Sequence, residues 1–113
     1  MTDGAKTIIY PVHDLAKAKA LYSELLGAEP FMGEPYYVGF KVAGQDIGLD
    51  PNGHAKGMTG PLSYWHVADI NKALQTLLDA GAESVQEVKD VGGVRLIASV
   101  RDADGNVIGL LQE

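Results

Sequence analysis

The chain has 113 residues, enough for one hydrophobic core but not two, and its composition (46% hydrophobic, 21% charged) is that of a globular domain. A formal net charge of −6 argues against nucleic acid, whose binding is dominated by Lys and Arg neutralising phosphates. With no cysteine, disulfides, thiolate metal sites and cysteine nucleophiles are excluded. No apolar run approaches the roughly 20 residues of a membrane span. The polar stretch from Thr2 to Lys6 is not followed by the apolar core of a signal peptide. The expectation is a cytoplasmic protein with neither membrane nor nucleic acid as partner.

Residues 6–12 are rich in β-branched and aromatic types and stop at a proline, which predicts a strand. Asp14 then offers a carboxylate to the free N–H groups of a helix start, and Gly27 is a stop signal. Between them Leu15, Ala18, Tyr22 and Leu25, with Leu21 beside them, follow the spacing of one helical face. Short strands are predicted around 29–32, over 36–42 and over 46–49, with Ala43-Gly44-Gln45 as a hairpin turn. Residues 50–61, with Gly53, Gly57 and Gly60, read as an exposed, mobile connection or, alternatively, a lid over a ligand site.

A strand over 62–67 comes next, then a cap at Asp69 and an apolar stripe of Ile70, Ala73, Leu74, Leu77 and Leu78 ending at Gly81. Strands are predicted around 84–88, over 94–100 and over 106–112, the last two joined by Asp104-Gly105-Asn106. The second half therefore repeats the first. Asp14-Leu15-Ala16-Lys17-Ala18 returns as Asp69-Ile70-Asn71-Lys72-Ala73, Gly27-Ala28-Glu29 as Gly81-Ala82-Glu83, and Ile47-Gly48-Leu49 as Ile108-Gly109-Leu110. A period near half the chain means two copies of one supersecondary unit in a single domain: a first module over about 5–50, a linker over 51–61 and a second module over about 62–113.

This duplicated β-α-β-β-β unit, with its Asp-φ-x-Lys-Ala helix starts and the run from Asp102 to Leu110, resembles the vicinal oxygen chelate superfamily of glyoxalases, bleomycin-resistance proteins and extradiol dioxygenases. The resemblance implies an α+β fold in which two modules form a half-open barrel around a central cup. It also implies four metal-ligand positions, which fall here on Thr7, Gly48, Leu62 (or Ser63) and Gly109. None offers the imidazole, carboxylate or thiolate that a divalent cation asks for, so no metal and no other cofactor is expected.

Strand alternation puts residues two apart on one face. If Gly48 points into the cup, the lining comprises Thr7, Ile9, Asp46, Gly48, Asp50, Leu62, Tyr64, His66, Gly109 and Leu111, with Val107, while Tyr10, Ile47, Leu49 and Trp65 face the helices. Glycine at 48 and 109 then leaves room for a ligand. A mostly apolar lining with sparse polar groups suits a small organic molecule, the expected partner. The alternatives are a lyase, isomerase or dioxygenase using a metal through Asp46, Asp50 and His66, a metal-free enzyme with His66 as acid/base oriented by Asp50 or Tyr64, and an interaction module with a vestigial cup. His13 and His54 are expected in solvent, Asp102 and Asp104 in a turn, and Arg95 and Arg101 on the surface or holding an acidic ligand. Small members of the superfamily usually pair, and a homodimer would cover open strand edges.

Overall fold

The structure is a computed structural model describing residues 1–113. Its elements are β1 (Thr2–Pro11), α1 (Leu15–Leu26), β2 (Met32–Glu34), β3 (Tyr37–Val42), β4 (Gln45–Asp50), a 3₁₀ turn (His54–Lys56), β5 (Leu62–Val67), α2 (Ile70–Asp79), β6 (Glu83–Asp90), β7 (Leu96–Arg101) and β8 (Val107–Gln112). The β-α-β-β-β order occurs twice, as the repeat requires. Hydrogen bonding orders the strands β2-β3-β4-β1-β5-β8-β7-β6 in an eight-stranded α+β sheet that does not close on itself.

Both helices start by the same device. Asp14 and Asp69 sit in extended backbone, and their carboxylates accept from the N–H groups of Lys17 (3.0 Å) and Lys72 (3.1 Å), satisfying donors the helix itself cannot. In α2 the Ile70 N–H is also held, by Gln112 Oε1 at 2.8 Å. α1 ends at Gly27, whose φ of 62° only glycine adopts cheaply; its N–H donates to the Ser23 carbonyl.

The chain folds as two compact units, Thr7–Leu62 and a second made of Met1–Lys6 with Ser63–Glu113. The strand expected over residues 6–12 runs from Thr2 to Pro11, and in its opening part Thr2 Oγ1 donates to the His66 carbonyl at 2.8 Å.

In the Thr7–Leu62 unit, α1 covers one sheet face. Val38, Phe40, Ile47 and Leu49 are buried there, and Ile8, Tyr10, Val12, Leu15, Ala18, Tyr22 and Leu26 pack on them. Tyr10 and Tyr22 meet with ring centroids 5.1 Å apart, and burial, followed by the nearby Tyr10, raises the Tyr22 pKa. The expected contribution of Leu21 and Leu25 is overturned: they are 68% and 73% exposed. Each residue turns the helix by about 100°, so a seam running Leu15, Ala18, Tyr22, Leu26 leaves the residue before each of the last two pointing away.

In the second unit the core is Val67, Ile70, Ala73, Ala98 and Leu110, with Leu74, Leu77, Val88 and Leu96 against it. Trp65, expected in this core, is 39% exposed. The α2 stripe packs chiefly on β6, β7 and β8 rather than on β5, which carries Trp65.

The connection after β4 is tied down at its start, beside the end of β1. Asp50 is 8% exposed; its carboxylate accepts from Asn52 N–H (2.8 Å) and Lys56 Nζ (2.9 Å). Gly53 is buried against Pro11, and Met58 N–H closes back on the Gly53 carbonyl. Asp102 is a turn residue: its carboxylate accepts from Asn106 Nδ2 and N–H and from Asp104 N–H, and these bonds hold its pKa below the usual carboxylate value.

Candidate functional site

In each unit the candidate residues lie on the sheet face opposite the helix, and strand register decides which residues reach it. In the first unit Thr7 pairs with Asp46, Ile9 with Gly48 and Pro11 with Asp50, while β3 brings Gly39 opposite Gly48. Since Ile8, Tyr10, Ile47 and Leu49 face α1, their neighbours Thr7, Ile9, Asp46 and Gly48 share the opposite face, as alternation predicts. In the second unit Tyr64 pairs with Gly109 and His66 with Leu111, and Leu110, between Gly109 and Leu111, joins the α2 core. Leu62, two residues before Tyr64, follows the same parity.

The two glycines do not leave open room. A β-carbon on Gly48 would stand 2.6 Å from both Tyr37 Cζ and Ile9 Cδ1, and nearer still to the Tyr37 hydroxyl. One on Gly109 would stand 2.6 Å from Tyr64 Cδ1 and 2.8 Å from the Ser63 carbonyl oxygen. Each glycine therefore lies beneath a tyrosine ring on a neighbouring strand. The space reserved by the missing side chain is already filled by a phenol, which overturns the expectation of a void. Tyr37 was absent from the sequence-based lining. It lies two residues before Gly39, so alternation along β3 could have included it; that its ring leans over Gly48 is a rotamer fact no periodicity encodes.

Thr7 is buried, at 1% exposure, and Asp46 lies 3.8 Å from Lys41 Nζ. Asp50 belongs to the lining by parity alone: its carboxylate is committed to the following turn and does not orient His66. The carboxylate beside His66 is Glu113, with Oε1 3.4 Å from Nδ1 and Oε2 3.3 Å from Arg95 Nη2. Because His66 registers with Leu111 on a parallel strand, a residue two further on falls on its side of the sheet, and that is Glu113. Arg101 pairs with Glu83 at 3.7 Å. The structure brings no group of three or more His, Cys, Asp and Glu side chains together in a way that could hold a metal ion. No helix is long and apolar enough to cross a membrane.

Residues 4–110 match the family model of the Glyoxalase/Bleomycin resistance protein/Dioxygenase superfamily, and the chain belongs to that superfamily. Among solved structures it is similar to a glyoxalase/bleomycin resistance protein/dioxygenase superfamily member from Vibrio splendidus 12B01, at 19% identity, 95% and 97% coverage of the two chains and a TM-score of 0.72. It is similar to the same extent to methylmalonyl-CoA epimerase from Mycobacterium tuberculosis (19% identity, 98% and 88% coverage, TM-score 0.73). The Mn(II)-bound glyoxalase from Novosphingobium aromaticivorans matches at 17% identity over 98% of this chain and 39% of that one, with a TM-score of 0.71. These likenesses establish the fold, which in this superfamily hosts several chemistries. No curated protein matches the sequence.

Proposed function

We propose that this chain binds a small organic molecule on the helix-free face of its sheet, without a divalent ion. The observation that supports this reading most is the pair of tyrosine-covered glycines. At the four positions where the superfamily resemblance puts metal ligands stand Thr7, Gly48, Leu62 (or Ser63) and Gly109, and above both glycines the volume a chelating side chain would use is taken by Tyr37 and Tyr64. The donor set does not fit a divalent cation, which needs imidazole, carboxylate or thiolate groups. Within the Thr7–Leu62 unit, Ile9, the Tyr37 phenol and the buried Thr7 hydroxyl instead match what an organic ligand requires, contact area with a few orienting hydrogen bonds, and within the other unit Leu111 and the Tyr64 phenol do the same.

The test is thermal denaturation with a panel of small organic molecules, with a chelator and again with divalent cations in its place. A ligand at 100 times its Kd stabilises by about 2.7 kcal/mol, a shift of several degrees for a domain of this size. A rise in Tm for at least one compound in chelator, reduced by Tyr37→Ala or Tyr64→Ala, is the expected result. Stabilisation only by divalent cations would overturn the reading.

One observation favours a second reading, an enzyme without a metal. Glu113 lies where a carboxylate would orient the His66 imidazole, the arrangement general acid/base catalysis uses. His66→Gln would then abolish turnover of the bound compound while leaving its affinity within about threefold; equal turnover in the variant would exclude it.

A further inference from the structure

On the sheet face opposite α2, two half-buried side chains converge on one carboxylate. His66 shares that face with Tyr64, two residues before it on β5, and registers with Leu111. Leu96 packs into the α2 core, so Arg95 before it turns to the side that His66 occupies. There Glu113 Oε1 lies 3.4 Å from His66 Nδ1, and Oε2 lies 3.3 Å from Arg95 Nη2. The two oxygens meet two different side chains, a two-point grip on a single group. Its parts are unequally fixed: the imidazole is 14% and the guanidinium 32% exposed, whereas the Glu113 side chain is 57% exposed. Both contacts are also longer than the roughly 2.8 Å of a charge-assisted hydrogen bond, and a carboxylate this open to water is weakly held.

We propose that His66 and Arg95 anchor the carboxylate of an organic acid, and that Glu113 holds the place of that group until the ligand arrives. The inference rests on the reading that this chain binds a small organic molecule, and it names the class: a monocarboxylate with an apolar or aromatic body. An incoming carboxylate takes over the same two contacts, so no donor is left without its acceptor. The displaced Glu113 side chain goes to water, where more than half of it already stands. The ligand's body adds what Glu113 lacks. Laid along β5 from His66 toward Gly109, it meets the Tyr64 ring and takes apolar surface out of water. The planar fork of a guanidinium matches a carboxylate better than it matches any neutral group, so the anchor selects acids over amides of the same shape.

Matched titrations of phenylacetate and phenylacetamide into the full chain, followed by the NMR shifts of its backbone amides, test this. The two compounds share a body and differ in the charge of one group. The wild type should bind the acid about tenfold more tightly than the amide, the scale of a charge-assisted hydrogen bond against a neutral one. The shifts should centre on Tyr64, His66 and Leu111. Glu113→Gln weakens the place-holder and should tighten the acid by about fivefold with the amide unchanged. Arg95→Gln should bring acid and amide to equal affinity. Equal binding of acid and amide by the wild type, or an acid affinity that Glu113→Gln leaves unchanged or lowers, would overturn the carboxylate anchor while organic-molecule binding stands. Absence of any shift with either compound, in the wild type and in Glu113→Gln, would overturn it as well, and the compound panel in chelator then decides the broader reading separately.

Discussion

Set side by side, the two modules solve one packing problem with exchanged parts. Each has a glycine at the same place in its last strand, flanked by register partners on both sides. Around Gly48, Ile9 comes from the parallel neighbour β1 and Tyr37 from the antiparallel neighbour β3. Around Gly109, the parallel neighbour β5 supplies Tyr64, and the residue of β7 in the position of Tyr37 is Ile97. Tyrosine and isoleucine have traded strands. The lesson is that register conserves the glycine and the need to cover it, whereas the strand that provides the cover is free to change. Aromatic rings over sheet glycines restore buried contact that the missing side chain forfeits.

The comparison can be broken first at the helices. Ile70 is fully buried on α2, so Ile70→Ala should cost about 3 kcal/mol, within the range for deleting a core aliphatic. Leu25→Ala on α1 should stay within about 0.5 kcal/mol, because that side chain lies in solvent. Urea unfolding of both variants checks the difference; equal losses would mean that α1 is covered by something else, such as a second copy of the chain.

The glycines come next. A methyl on Gly109 meets the Ser63 backbone carbonyl as well as a ring, whereas on Gly48 it meets only the far ends of Tyr37 and Ile9. Gly109→Ala should therefore cost about 2–3 kcal/mol and Gly48→Ala about 1 kcal/mol in the same unfolding assay. In a Tyr37→Ala background the Gly48→Ala cost should shrink, a coupling that a double-mutant cycle measures.

Smaller effects sharpen the likeness of the modules. Asp14→Ala and Asp69→Ala should each lose about 1 kcal/mol, equally, since both carboxylates cap with the same geometry. The Ala43-Gly44 hairpin turn has positive φ at both residues (52° and 78°), a backbone that suits Asn or Gly better than Ala. Ala43→Asn should stabilise by about 0.5 kcal/mol. The smallest effect is alkaline. The raised Tyr22 phenol contributes stability that is complete below about pH 10 and is lost as pH rises past it, so the wild type should weaken more than Tyr22→Phe between pH 9.5 and 11.

Much of this was legible before any coordinates. Both caps, the order of elements along each module and the alternation of faces along its strands follow from local chemistry and a period of two, and the structure agrees at Asp14, Asp69, Gly48 and Gly109. What periodicity could not reveal depends on three dimensions. Leu25 and Leu26 are adjacent, and which one turns inward depends on how α1 lies on its sheet. Tyr37 over Gly48 depends on a side-chain torsion. Glu113 beside His66 needs the parallel register of two strands distant in sequence. Asp50 had the correct parity and the wrong role, because its carboxylate finds nearer donors in the turn that follows it.

The central claim, that phenols rather than chelating side chains occupy these two positions, can be probed by titrating Mn²⁺ into the protein with its tyrosine rings isotopically labelled for NMR. The account predicts that the Tyr37 and Tyr64 ring signals stay sharp with Mn²⁺ and shift when a stabilising organic compound is added. Selective paramagnetic broadening of those two rings at equimolar Mn²⁺ would contradict it.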